Sequence, residues 1–243
     1  MGCYVEDVLK IAKAEVGYLE KESKSSLDSK TANAGDENIT KYARDLDKVT
    51  SFYNGRKQGC YWCDIFVDWC FYMAYGVSNA KKLLCQPSKS CGAGCKYSMQ
   101  YYQNKGRFYK SPKVGDQIFF KDTDGDIVHT GLVYKVAGNY VYTIEGNTSS
   151  ASGVVANGGC VAEKKYKLNN KRIAGYGRPS YDVRKTVTSV EYQCVHTVVK
   201  GNSLWSIATK YLGKGSRYPE IMELNGLTST NLKVGQKLKI PKK

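Results

Sequence analysis

Apolar residues near the start of the chain recur at intervals of three and four. Val5, Val8, Leu9, Ala12 and Val16 follow the period of one helix face and predict a helix over 4–20. The next stretch, KESKSSLDSKTANAGDEN (21–38), has no such period and reads as a polar loop. The helical period returns after Gly59, where Trp62, Ile65, Phe66, Trp69, Cys70 and Met73 predict a second helix within 61–76. From about residue 114 the pattern changes. QIFF, IVHTGLVY and YVYTIE are β-favouring runs separated by the turn-forming DTDGD and AGN. Helices followed by hairpin-linked strands predict an α+β domain.

GRPSYDVRKTVTSVEYQ (177–193) is polar, contains Pro179 and lacks periodicity, which places a linker at 179–194 between a domain at 1–178 and a tail at 195–243. In the tail, VHTVVKG reads as a strand, SLWSIATKYLG as a helix opened by Ser203, RYPEIMELNG as a helix ended by Gly226, and QKLKIP as a strand. The order is β-α-α-β.

Composition narrows the class. The chain is 42% apolar and 24% charged over 243 residues, as in a globular protein, so wholesale disorder is excluded. Its most apolar stretch, FVDWCFYMAYGV, is broken by Asp68, which argues against a transmembrane helix. Glu6 and Asp7 interrupt what a signal peptide would need as an apolar core, and Glu6 replaces the Ser or Thr of a myristoylation signal. The expectation is a protein made without a secretion signal. The net charge of +15 is unevenly spread, with nine basic and two acidic residues in 195–243. Such a field suits nucleic acid, anionic lipid or an anionic wall polymer, and charge does not choose among them.

Nine cysteines in a chain without a secretion signal argue against a disulfide framework. Cys60, Cys63, Cys91 and Cys95 could form a four-thiolate zinc site by spacing, a minor alternative. The stronger reading is catalytic. There are two histidines, and His196 has no suggestive neighbour. His129 lies on a predicted strand, and the next strand ends in Glu145-Gly146-Asn147, so a hairpin would set His129 beside Glu145 as a base with its orienting partner. Cys63, at the start of the second helix, is the candidate nucleophile, because a helix N-terminus lowers a thiol pKa.

YWCDIFVDWCFYMAYG, GDQIFF, HTGLVY and YTIEGNTS, in that order, resemble the CHAP domains, papain-like cysteine amidases and peptidases that cut peptidoglycan. The resemblance covers about 1–178. It implies a papain-like fold, with N-terminal helices packed on an antiparallel sheet. It further implies that Cys63 attacks the amide carbonyl, that His129 shuttles the proton, and that Glu145 orients the imidazole. Asn147, two residues on and on the same strand face, would share the orienting role. The Cys63 backbone amide would serve the oxyanion, and Gln58 is a weakly placed side-chain donor. No cofactor is expected. The alternative is calcium, which some CHAP domains bind through carboxylates; Asp45 and Asp47, or Asp122, Asp124 and Asp126, are the residues at issue.

HTVVKGNSLWSIATKY, ELNGL and LKVGQKLKIP resemble the LysM domain, a β-α-α-β module that binds N-acetylglucosamine-containing glycans. The resemblance implies a sugar groove between Gly201, Asn202, Ser203 and Leu204 on one side and Asn225, Gly226 and Leu227 on the other. Trp205 is expected in the core with Ile207, Ala208 and Tyr211. Together the two resemblances imply a modular peptidoglycan hydrolase of the phage endolysin kind, held in the host cytoplasm before acting on the wall. Its partners would be peptidoglycan and its glycan, with anionic wall polymers as a further attraction, and neither nucleic acid nor membrane insertion is expected. The rival readings are a non-catalytic glycan binder with a relic CHAP domain, a zinc-containing nucleic-acid binder, and a transamidase using the same cysteine.

Overall fold

In the computed structural model, which describes residues 2–50, 52–89, 91–183 and 192–242, the first apolar stripe forms α1 (Val5–Glu15) and buries Val8, Leu9 and Ala12. It is shorter than the expected 4–20 helix. Gly17 adopts φ 89° and turns the chain, so that Tyr18 enters the core as part of a loop. A short helix that the pattern did not announce, α2 (Lys41–Asp47), is opened by the Thr40 hydroxyl, which accepts the Ala43 N–H at 3.1 Å.

The second predicted helix is α3 (Cys63–Leu83), with a break at Gly76 (φ 73°). Trp62, Ile65, Phe66, Trp69 and Cys70 are buried as expected. Met73 is not: it is 51% exposed. Phe71 goes inward instead, because its flank is covered by Tyr181, whose ring stands 6.0 Å away. That contact also corrects the linker. Tyr181 donates to the Gly115 carbonyl at 2.9 Å and the Asp182 carboxylate accepts the Cys3 N–H at 2.7 Å, so 179–183 pack on the first domain. The second unit's first strand already begins at Tyr192. The chain divides into units 1–183 and 184–243, and the middle of the expected linker, 184–191, lies outside the described residues.

A further helix, α4 (Cys95–Asn104), buries only Cys95, Ser98 and Tyr102, too sparse a stripe to read from the sequence. The sheet follows: β1 (Phe108–Tyr109), β2 (Gln117–Lys121), β3 (Ile127–Ala137), β4 (Tyr140–Thr148), β5 (Cys160–Lys167) and β6 (Ile173–Gly177). Its order is β1-β6-β2-β3-β4-β5, and every pairing is antiparallel. Alternation gives the sheet two buried faces. Phe119, Leu132 and Ile144 join the core made with α1, α2 and α3, while Ile118, Phe120, Val133, Val141, Tyr166 and Tyr176 form a separate cluster. Close packing of α3 on the sheet depends on Gly146, where a Cβ would come within 2.5 Å of Phe66 Cβ.

The second unit has the expected β-α-α-β order: β7 (Tyr192–Thr197), α5 (Leu204–Leu212), α6 (Tyr218–Leu224) and β8 (Lys237–Pro241), with β7 antiparallel to β8. Ser203 and Ser206 close a reciprocal capping box at the start of α5, and Gly213 (φ 81°) ends it. Leu204, Ile207, Ala208 and Leu212 face Ile221, Leu238 and Ile240. Trp205 does not belong to this core, contrary to expectation, and is 57% exposed. One step of the helix past Leu204 carries it off the buried stripe. Its ring lies against Gly215, where any Cβ would overlap it, and 6.3 Å from the ring of Tyr218.

Candidate active site

Cys63 is the first residue of α3 and is 5% exposed. Its neighbours in sequence anchor it. The Trp62 indole N–H donates to Glu20 at 2.6 Å, and both side chains are buried. Asp64 accepts the Gly94 N–H at 2.9 Å, the Ser98 hydroxyl at 2.8 Å and the Gln117 amide at 2.9 Å. One buried carboxylate therefore ties the starts of α3 and α4 to β2. Burial raises its pKa above the ordinary carboxylate value, and these three donors work against that rise.

This arrangement brings Cys95, the first residue of α4, against Cys63. The Cys95 thiol points to the Ile127 carbonyl at 3.4 Å. Contact with the Cys95 thiol pushes the Cys63 pKa well above the ordinary thiol value; burial and the Asp64 charge push the same way, and the Asp64 backbone N–H opposes them. The expectation that the helix start would lower this pKa is thus reversed. At rest Cys63 is a neutral thiol, so it needs a base.

His129 supplies one. It lies on β3 opposite Phe120, with the two rings stacked at 5.9 Å, and is fully buried. Its Nε2 is 2.9 Å from Glu145 Oε2 on β4, the pair that the hairpin reading expected. Glu145 is itself buried and held twice more. The Thr143 hydroxyl donates to Oε1, and the Tyr166 hydroxyl to Oε2 at 3.1 Å. Gly131 makes room for the carboxylate, since a Cβ there would overlap Glu145 Cγ. Against an ionised carboxylate the imidazole presents Nε2–H, which leaves Nδ1 as the acceptor. That atom is buried and has no hydrogen-bond partner among the described residues. No hydrogen bond joins Cys63 to His129 among the described residues either; the thiol leans on Cys95 instead.

Two expected helpers are placed elsewhere. The register shifts between Glu145 and Thr148, and Asn147 takes φ 52°, so it does not share the Glu145 role. Its side chain donates to Asn38 at 3.1 Å and accepts the Gly159 N–H at 3.3 Å, bracing two loops. Gln58 has both ends of its amide tied to the Thr40 backbone, at 3.0 and 3.1 Å, so its side chain braces the start of α2. Sequence reasoning missed Thr143 and Tyr166. Thr143 was within reach by alternation from Glu145; Tyr166, on another strand, carried no signal, and neither did Cys95 as a neighbour of Cys63.

The thiols and carboxylates weighed as metal ligands have other partners. Cys91 donates to the Phe52 carbonyl at 2.8 Å and lies beside Lys81, Cys95 points to Ile127, and Cys60 is exposed, so the four sulfurs do not converge. Asp45 holds Arg44 and Trp69, Asp47 caps the backbone of Lys57 and Gln58, and Asp122 accepts the N–H groups of Asp124 and Asp126 within its own turn. No group of three or more metal-ligating side chains gathers among the described residues.

In the second unit, much of the expected groove is spent on the fold. Leu204 is buried in the core, and Leu227 packs against the same cluster. Asn225 joins Ile221 to both backbone groups of Lys239, each at 2.8 Å. Asn202 accepts the Val199 N–H at 3.1 Å and sits 2.7 Å from His196 Nε2. Gly201 (φ 88°) and Gly226 (φ 62°) are turn positions, and Ser203 caps α5. What these loops can offer a ligand is mainly backbone.

Residues 54–147 match the CHAP domain family and residues 196–241 the LysM domain family. Over 111 residues, 42% of this chain, the sequence is 34% identical to N-acetylmuramoyl-L-alanine amidase sle1 of Staphylococcus epidermidis, and covers 33% of it. The amidase sle1 of Staphylococcus saprophyticus subsp. saprophyticus is 32% identical over 110 residues, covering 41% of this chain and 32% of that protein. The chain thus spans about one third of the length of the curated relatives it matches. The crystal structure of Ly7917 aligns with 72% of this chain and 62% of its own at 12% identity, with a TM-score of 0.39, a likeness too slight to carry an argument.

Proposed function

We propose that this chain, which carries a CHAP domain at 54–147 and a LysM domain at 196–241, is a peptidoglycan hydrolase that cuts a wall amide through a cysteine nucleophile. One observation carries the reading: a buried imidazole held through Nε2 by Glu145, with Nδ1 left unpaired to accept a proton. The Cys63 thiol leaves Cys95, gives its proton to Nδ1, and attacks the amide carbonyl. Glu145 stabilises the imidazolium so formed. The Cys63 N–H, at the first turn of α3 where no intrahelical acceptor exists, faces the oxyanion. His129 then returns the proton to the leaving amine. Water, deprotonated by the same ring, hydrolyses the thioester.

The activity in the names of the two staphylococcal amidases supports the bond between muramic acid and L-alanine as the target. Cleavage within the stem peptide or cross-bridge would use the same three residues. The LysM unit anchors the enzyme on wall glycan through the backbone of 201–204 and 225–227. Its surplus of seven positive charges favours anionic wall polymers as a second attraction. Tethering raises the local concentration of substrate without new contacts at Cys63. The test is digestion of purified Gram-positive peptidoglycan with mass-spectrometric assignment of the new termini. Free N-terminal L-alanine is expected. New termini inside the stem or bridge would make the enzyme an endopeptidase, and no new termini would refute hydrolysis.

A further inference from the structure

A cleft of about 350 Å³ opens on the first unit, apart from the residues of the site described above. Three segments wall it. The polar loop before α2 supplies Lys24 and Leu27, the end of α2 and its C-cap supply Arg44, Asp47 and Lys48 at helical spacing, and the segment leading to Cys63 supplies Arg56 and Gln58. Leu27 is buried and gives the cleft an apolar surface. Arg44 is already matched by Asp28 and Asp45, and Asp47 is spent on the N–H groups of Lys57 and Gln58, at 2.8 and 3.1 Å. Lys24, Lys48 and Arg56 are exposed and make no hydrogen bond or ion pair among the described residues. One solvated lysine is ordinary. Three unmatched cations, brought from three segments to one cleft with an apolar wall, suit an anionic ligand that also has apolar parts. The cleft is also close to the proposed chemistry. Tyr42, on the inner face of α2, has its ring 5.5 Å from that of Trp62, the residue before Cys63.

We propose that this cleft binds the carboxylates of a peptide, and that the peptide is the acidic stem of peptidoglycan, held one helix away from Cys63. A stem peptide carries free carboxylates for Lys24, Lys48 and Arg56 and alanine methyl groups for Leu27. A phosphodiester wall polymer offers the charge without the apolar part. Each exposed ion pair is weak alone, and three together set a preference for acidic over amidated stems. That the peptide is the substrate rests on the function proposed above; the carboxylate site itself does not.

The probe is acetyl-L-alanyl-γ-D-glutamyl-L-lysyl-D-alanine, titrated into the full chain at low salt and followed by backbone amide chemical shifts. It is compared with the same peptide amidated at both carboxyls, and with glycerol phosphate. The expected shifts centre on 24–27, 44–48 and 56–58, and the free acid should bind at least about tenfold more tightly than the diamide. The triple variant Lys24→Ala/Lys48→Ala/Arg56→Ala should lose that preference and raise KM for walls with kcat unchanged. Lys214→Ala/Lys233→Ala/Lys237→Ala, which removes as much charge from the second unit, should bind the peptide as wild type does. Shifts centred elsewhere, equal binding of the diamide, or an unaltered preference in the first triple variant overturns the proposal. So does glycerol phosphate that binds the same residues more tightly than the peptide, which would make the cleft a phosphate site. The shifts need no turnover, so they decide the carboxylate site even if the protein proves inactive on walls.

Discussion

In the proposed mechanism, Glu145 is a single side chain prepared for a charge that appears only during the reaction. Three donors surround it: the His129 ring, the Thr143 hydroxyl and the Tyr166 hydroxyl. A carboxylate so held in a dry site is worth most when the imidazole becomes cationic. Because the Cys63 pKa is pushed up, the proposed mechanism requires proton transfer to His129. Glu145→Gln keeps a hydrogen-bonding partner and removes the charge. Turnover of peptidoglycan should fall about 100-fold with binding to walls unchanged, measured as initial rate and co-sedimentation on the same preparation; an unaltered rate would remove Glu145 from the mechanism. At this scale the sequence was informative where periodicity did the placing. Cys63 after a break and His129 beside Glu145 both followed from element patterns. Asn147 did not, because alternation assumes a regular strand and the register shift after Glu145 breaks it. Cys95 was illegible, since its contact with Cys63 is made by tertiary packing through Asp64.

Among elements, α3 does the most, carrying the proposed nucleophile and three further buried acidic or sulfur groups along its length. Asp68, one turn beyond Asp64, accepts the Tyr53 hydroxyl and the Gln86 amide, both at 2.7 Å, and so ties α3 to the flanking segments. Burial, then the charge of Asp64, pushes its carboxyl well above the ordinary range. A raised carboxyl favours the fold while protonated. That contribution is whole below the unfolded value of about 3.9 and is lost as pH rises through the raised one. Asp68→Asn can still accept from Gln86 and can donate to the Tyr53 oxygen, without titrating. Between about pH 5 and pH 8, wild-type Tm should therefore fall by a few degrees relative to the variant. Parallel Tm curves in thermal melts across that range would contradict the burial argument. The long periodic elements were readable before the structure: α1, α3, the hairpin β3–β4 and the β-α-α-β tail. The short ones were not. The polar loop around α2 hides Tyr42, Ala43 and Leu46, and α4 buries too few residues to show a face.

At the scale of the molecule, the chain folds as two units with separate cores, to which the proposed function assigns cutting and anchoring. The smaller carries a surplus of basic residues and a half-exposed Trp205, and its loops are stapled by Asn202 and Asn225. Removing 184–243 should weaken co-sedimentation with walls at least about fivefold while leaving slower hydrolysis, and the loss in binding should shrink as salt rises. Unchanged binding would take the anchor role from the second unit. The β-α-α-β order and the domain division were legible because turn residues and composition mark them. The true extent of the first domain was not, because Tyr181 and Asp182 sit in a polar, aperiodic stretch and earn their places only by contacts with Phe71, Gly115 and Cys3. The central claim is that Cys63 is the nucleophile of a wall-cutting enzyme. Its most direct test is the rate at which wild type and Cys63→Ala solubilise purified Gram-positive walls, with binding to the same walls measured in parallel. The account predicts a loss of at least about 1,000-fold in rate with binding intact; solubilisation by Cys63→Ala at the wild-type rate would contradict it.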